Sequence, residues 1–201
     1  MEEQGKQQLQ EARGALSEAA AERPYHRVRA WFEQSAPLIR WDVFDSPLGP
    51  FYVAAGEKGI VQTAFGESRK AFFSRLDPRA RIERDAAALA PVTARLRAYF
   101  ENPSLPLDLP VDLSDAPPFQ RLVLQTIRRI PAGTVWTYQQ VAEALGRPTA
   151  SRAVGQALAH NPTPIVIPCH RVVGSDGSLT GYGGSGGIAT KRWLLQHEGA
   201  L

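Results

Sequence analysis

A proline-bearing stretch, Asn102 to Pro118, limits the possible folds more than any other feature. Proline resists continuing either a helix or a central strand, and here it separates two lengths of chain with different hydrophobic periods. On the N-terminal side, Ile39, Trp41 and Val43 alternate with Arg40 and Asp42. Ser46-Pro47-Leu48-Gly49-Pro50 then turns the chain into Phe51 to Ala55, and Gly56-Glu57-Lys58-Gly59 turns it into Ile60 to Phe65. This pattern predicts three antiparallel strands with short connections. Helix-period positions follow over 67–76 and 86–100, the latter with Leu89, Val92, Leu96 and Tyr99, and would cover one face of the sheet. Beyond Pro118 the period is helical, with Phe119, Leu122, Val123, Thr126, Ile127 and Ile130 recurring up to Pro131. The reading is therefore a two-domain α+β chain, with a small antiparallel sheet and helices over 37–115 and a mostly helical domain over 116–201. Residues 1–36, polar and alanine-rich, read as a mobile or loosely helical extension.

A chain of 201 residues can bury a core without a metal or disulfide staple. With 43% hydrophobic and 21% charged residues, disordered, collagenous and coiled-coil classes are excluded. The single cysteine, Cys169, rules out an internal disulfide and a multi-cysteine zinc site, and fits a reducing cytosol. No apolar run reaches the roughly 18 residues of a membrane span, and the first twenty residues have no apolar signal core. A soluble, cytoplasmic protein with no membrane partner is expected. Residues 1–115 hold 15 Lys and Arg against 17 Asp and Glu, whereas residues 116–201 hold 8 against 3. A basic C-terminal half suits contacts with phosphates, although solvated faces produce the same asymmetry.

Within that half, Thr137-Tyr138-Gln139-Gln140 fits a capping box, Thr137 accepting from the Gln140 amide and Gln140 reaching back. The short helix that starts there breaks at Gly146-Arg147-Pro148, after which Thr149 is placed to cap a second helix, Ala150 to Ala159. Two short helices joined by a glycine turn suggest helix-turn-helix. The second presents Ala150, Ser151, Ala153, Gly155, Ala157 and Ala159, with Arg152 and Gln156 as its long polar side chains. Such a surface serves either a helix pressed into a nucleic-acid groove or one packed closely on its neighbour.

The thiol lies in Ile165-Val166-Ile167-Pro168-Cys169-His170-Arg171-Val172-Val173. Only the thiolate is a nucleophile, and an adjacent imidazole and guanidinium lower a thiol pKa, so His170 and Arg171 make Cys169 a catalytic candidate. The apolar run before it equally suits a buried structural cysteine.

Ile167-Pro168-Cys169-His170-Arg171-Val172 resembles the active-site signature of the O6-alkylguanine-DNA alkyltransferases. The flanking order is similar too: Thr137 to Ala142, Ser151-Arg152-Ala153-Val154-Gly155, Asn161-Pro162, Gly181-Tyr182, and Lys191 to Leu195 before Glu198. The resemblance runs from Leu38 to Gly199 and implies a ribonuclease-H-like N-terminal domain and a winged-helix-like C-terminal domain. It implies DNA repair by one irreversible transfer of the alkyl group from O6-alkylguanine, and from O4-alkylthymine, in double-stranded DNA to Cys169. His170 would take the thiol proton through a water, Glu198 would orient His170, and Asn161 would hold the turn beside the thiol. Tyr138 would serve the leaving base during nucleotide flipping, and Arg152 would fill the vacated stack. Ala153 and Gly155 would let the helix approach the minor groove, beside Thr137 and Gln139. Tyr138, Val172, Tyr182, Gly183, Gly184 and Ser185 would line the base pocket. Neither a cofactor nor zinc is expected, since His26 is the only His before residue 116 and no Cys accompanies it. The resemblance further implies a monomer.

The loop Gly181 to Ile188 is two residues longer than that family's pattern, which bears on substrate range and rate. Its Gly183-Gly184-Ser185-Gly186-Gly187 also fits the G-x-S-x-G of serine hydrolases, but no strand signal precedes it. A non-catalytic alternative is a helix-turn-helix module or a lesion sensor, against which Cys169 itself argues.

Overall fold

The structure is a computed structural model that describes residues 36–201; the predicted extension lies outside the described residues apart from Ala36. The predicted three-stranded meander forms from β1 (Leu38–Ser46), β2 (Gly49–Gly56) and β3 (Gly59–Phe65). β1 and β2 pair antiparallel from Arg40 opposite Ala55 to Ser46 opposite Gly49. Ser46 closes their turn, its hydroxyl donating to the Gly49 carbonyl at 2.7 Å. β2 and β3 pair antiparallel with a one-residue slip at Ala54/Ala55. A fourth strand, β4 (Arg81–Arg84), joins the far side of β1, giving the order β3-β2-β1-β4. All four of its residues are exposed, so it carried no apolar alternation to read.

The period of two gives the sheet two apolar faces. Trp41 and Tyr52 pack against α1 (Arg69–Phe73), with ring centroids 4.9 Å from Phe73 and 5.1 Å from Phe72 respectively. Phe44, Phe51, Val53 and Phe65 share a cluster with Leu89, Leu96 and Tyr99 of α2 (Ala86–Glu101). α1 covers five residues of the predicted 67–76, capped by the Ser68 hydroxyl, which accepts from the Ala71 amide. The proline stretch then runs beside β3, where Ile60 donates to the Pro110 carbonyl and accepts from the Asp112 amide. Gly59 makes that approach possible, because a Cβ there would lie 2.5 Å from the Pro110 oxygen.

Beyond it come α3 (Pro118–Ile127), β5 (Trp136–Thr137), α4 (Tyr138–Ala144), α5 (Ser151–Ala159), a 3-10 turn (Cys169–Arg171), β6 (Val172–Val173) and α6 (Gly187–His197). The capping box forms as expected: the Gln140 amide donates to Thr137 Oγ1 at 3.1 Å, and the Thr137 amide to Gln140 Oε1 at 2.7 Å. The expected Thr149 cap does not form; α5 starts after Ala150 without a side-chain cap. Gln139 ties the turn instead. Its Nε2 donates to the Pro148 carbonyl and to Glu143 Oε1, and its Oε1 accepts from the Ser151 hydroxyl at 2.7 Å.

α3, α4 and α5 enclose a core of Val123, Leu124, Ile127, Val141, Val154 and Leu158 that reaches Cys169. The sheet's core continues past the proline stretch into Ile165, Val166 and Leu194. Among the described residues no helix is long and apolar enough to cross a membrane.

Candidate active site around Cys169

Cys169 is placed by a turn that the sheet holds from outside. β3 grips Asn161-Pro162-Thr163-Pro164 through the Thr63 amide, which donates to the Pro162 carbonyl at 3.0 Å, and the Thr63 hydroxyl, which donates to the Pro164 carbonyl at 2.8 Å. Inside the turn Asn161 Oδ1 accepts from the Thr163 amide, while its Nδ2 donates to the Ile167 carbonyl at 2.9 Å and to Cys169 Sγ at 3.2 Å. Ile165 has φ +75°, a left-handed conformation that costs a β-branched residue on the order of 1–3 kcal/mol. Its side chain is 1% exposed in the sheet's core, so packing holds the strained turn in place. Pairing of Val172 with Trp136 then fixes the chain leaving the thiol.

Around the next residue four side chains meet with almost no access to water. His170 Nε2 lies 2.9 Å from Glu198 Oε1. Arg171 clamps the same carboxylate, Nε on Oε2 and Nη2 on Oε1, each at 2.8 Å. The Tyr99 hydroxyl donates to Oε1 at 2.7 Å. Burial pushes the Glu198 carboxyl up, but the bonds and charges of His170 and Arg171 outweigh it and hold the pKa near 2. Glu198 is therefore ionised and can only accept. Burial drives the His170 pKa down against the pull of Glu198, so the imidazole is neutral at physiological pH. An acceptor-only partner puts the proton on Nε2 and leaves the Nδ1 lone pair free. Nδ1 is buried and has no hydrogen-bond partner among the described residues, which suits a base waiting for a proton.

The thiol, 8% exposed, is pushed up by burial; Asn161 and the charge of Lys191 act in the opposite direction. Arg171 is expected from its place in the sequence to activate Cys169, and the structure corrects that expectation. Its guanidinium faces away, spent on Glu198 and the Ile130 carbonyl. The cation that acts on the thiol is Lys191, although burial still outweighs it. It is fully buried on α6, its Nζ donating to the Val172 carbonyl at 2.6 Å and the Thr180 carbonyl at 3.0 Å. Burial lowers its pKa to about 8. Neither the Tyr99 and Arg171 contacts with Glu198 nor the cationic role of Lys191 was visible as a local motif, since each closes over a long span of sequence.

Tyr138 opens α4, half-buried, its hydroxyl donating to the Thr180 carbonyl at 3.4 Å and Lys191 Nζ lying 5.9 Å from its ring centroid. Gly155 of α5 packs under that ring: a Cβ there would sit 3.7 Å from it. Arg152 is exposed on α5 and has no hydrogen bond or ion pair among the described residues, beside half-buried Ala153. Thr137 and Gln139 spend their side chains on the capping box and the turn.

Of the expected pocket residues, Gly183, Gly184 and Ser185 line a cavity of about 340 Å³ with Asn161 and β3, whereas Tyr182 and Val172 pack in the core around Cys169. The serine-hydrolase pattern fails on contact, because Ser185 Oγ donates to the Gly66 carbonyl at 3.0 Å rather than meeting an imidazole.

The chain's sequence and fold match known proteins over most of their length. Residues 39–113 match the 6-O-methylguanine DNA methyltransferase ribonuclease-like domain, and residues 118–200 match the DNA binding domain of the same family. The chain is 42% identical over 161 residues to the methylated-DNA--protein-cysteine methyltransferase of Shigella flexneri, covering 78% of this chain and 93% of that protein. It is 36% identical over 173 residues to the mouse protein of that name, covering 80% and 82%. The crystal structure of Mycobacterium tuberculosis O6-methylguanine methyltransferase superposes with a TM-score of 0.69 at 34% identity over 81% of this chain and 93% of that one. A second structure of that protein, at TM-score 0.68 and 36% identity over 81% and 93%, is a complex with DNA. With a ribonuclease-like sheet, a helical C-terminal half and a single thiol beside a buried His–Glu pair, this chain belongs to the O6-methylguanine DNA methyltransferase family, the methylated-DNA--protein-cysteine methyltransferases.

Proposed function

We propose that Cys169 removes the alkyl group from O6-alkylguanine, and from O4-alkylthymine, in duplex DNA by a single displacement. The arrangement of the thiol supports this reading most directly: Asn161 donates to Sγ, and the neutral neighbour His170 keeps a buried, unpartnered Nδ1. The thiol proton passes through a water to His170 Nδ1. The imidazolium so formed is stabilised by Glu198, which Arg171 and Tyr99 keep ionised and oriented. The thiolate attacks the alkyl carbon, a C–S bond forms, and the C–O6 bond breaks with its electron pair going to the base. Tyr138 meets the leaving base and helps it gain a proton. The product is a thioether that water does not cleave, so each chain acts once, as a monomer and without a cofactor.

The target carbon is inside the duplex, so the nucleotide must be rotated out at a cost of a few kcal/mol. Residues 116–201 supply that step, with 37–115 bracing the turn that carries Asn161. Exposed on α5 and without a hydrogen bond or ion pair among the described residues, Arg152 is placed to fill the vacated stack, and Ala153 and Gly155 allow the close approach.

Intact-mass measurement and peptide mapping after incubation with an O6-methylguanine duplex tests this. One added methyl group on Cys169, about 14 Da, with the reaction stopping at one per chain, is expected. No mass gain despite lesion binding would replace the reading with that of a sensor. Arg152→Ala is expected to slow transfer from the duplex far more than from free O6-benzylguanine, and equal losses on both would remove the stacking role.

A further inference from the structure

The glycine loop before α6 holds five glycines within seven residues, Gly181 to Gly187, and glycine contributes almost no stiffness of its own. Its position must come from what it touches. Tyr182 packs against the cluster that contains Cys169. Gly183 sits against the end of α5, where a Cβ would lie 2.9 Å from the Ala159 carbonyl, two residues before Asn161. Gly184 sits against Phe65, where a Cβ would lie 2.9 Å from the ring. Ser185 then donates its hydroxyl to the Gly66 carbonyl at 3.0 Å.

Gly66 is a firm receptor for that bond. It follows β3, its amide donates to the Pro50 carbonyl at 3.2 Å, and it has φ +61°. A Cβ at Gly66 would lie 2.9 Å from the Leu48 carbonyl and 3.2 Å from Ser185 Oγ, so glycine leaves the space into which the serine reaches. The acceptor thus belongs to the β1–β2 end of the sheet, and the donor to the loop whose Tyr182 packs against the cluster of Cys169.

We infer that Ser185 is a positioning residue for the transfer reaction: it latches the glycine loop to the sheet at Gly66 and so sets how much of the time the loop is closed beside Cys169. The inference rests on the transfer reading above. The loop is two residues longer than the family pattern, and the latch gives that added length a fixed end. Substrate enters with the latch released and reacts with it made, so losing the hydroxyl shifts the loop toward open forms. That exposes the thiol while slowing the reaction that needs the closed wall.

The test uses the full chain as wild type, Ser185→Ala and Ser185→Thr. Two quantities are measured, the rate at which iodoacetamide modifies Cys169 and the single-turnover rate of methyl transfer from an O6-methylguanine duplex. One net hydrogen bond corresponds to a factor of about five. Ser185→Ala is expected to raise the iodoacetamide rate and to lower the transfer rate by about that factor. Ser185→Thr, which keeps the hydroxyl, should restore both. Wild-type rates in Ser185→Ala, or a Ser185→Thr that behaves like Ser185→Ala, would overturn the latch. A wild-type chain that gains no methyl group would sink the transfer reading and with it the positioning role, while the iodoacetamide rates would still separately uphold or overturn the latch.

Discussion

Glu198 accepts from three side chains, and the three do different work. His170 uses it as an orienting partner, Tyr99 adds a donor, and Arg171 supplies the permanent charge that lets a buried carboxylate stay ionised. Arg171→Met leaves that charge largely uncompensated, and a loss of about 3–5 kcal/mol in folding free energy is expected by urea titration. The same carboxylate gives the protein an acid limit. Its pKa near 2 in the folded chain lies below the ordinary 4.5, so its stabilisation is complete above about pH 4.5 and disappears as pH falls toward 2. Between about pH 5 and 3 the loss from this group should be about 2 kcal/mol, and the same titration on Glu198→Gln should lack it. Cys169 and His170 were legible as a pair because they are adjacent. Arg171 was legible only as a cation near sulfur, and its true partner lies 27 residues on, where nothing in the local pattern points to it.

Secondary-structure elements were readable where their signals are local. The capping box and the turns at Gly49 and Gly146 came from residues three or four apart. β4 gave no signal, since an exposed edge strand is specified by pairing with β1 rather than by its own residues. The start of α5 was misassigned for a related reason: Gln139, from the preceding helix, bonds the turn and Ser151, which leaves Thr149 without a capping role. The small residues of α5 serve the second of the two uses weighed for them, close packing on a neighbour. Val154, Ala157 and Leu158 are buried in the helical core, while Gly155 faces the Tyr138 ring, where a Cβ would be in contact at 3.7 Å and a longer side chain would press on the ring. Gly155→Leu therefore pushes Tyr138 out of register. Transfer from duplex DNA should fall at least tenfold in single-turnover kinetics while the circular-dichroism spectrum stays that of the wild type.

Across the described residues, the first half acts on the thiol through the turns and side chains that hold it in place. β3 grips the Asn161 turn, the sheet's core seals over Ile165 and Val166, and Tyr99 reaches Glu198 from α2. Sequence periodicity could place the sheet and the bundle separately. It could not show that the two share a core, because such contacts join residues a hundred positions apart, as Thr63 does with Pro164. The closeness of that packing around sulfur bears on what happens after the reaction. A thiol only 8% exposed, already bonded to Asn161, leaves little slack for another carbon. Overpacking of this kind costs about 1–3 kcal/mol, so methylated protein should melt a few degrees below fresh protein in calorimetry. A spent molecule would thus differ from an unspent one in durability as well as in chemistry, and its own looseness would mark it as used.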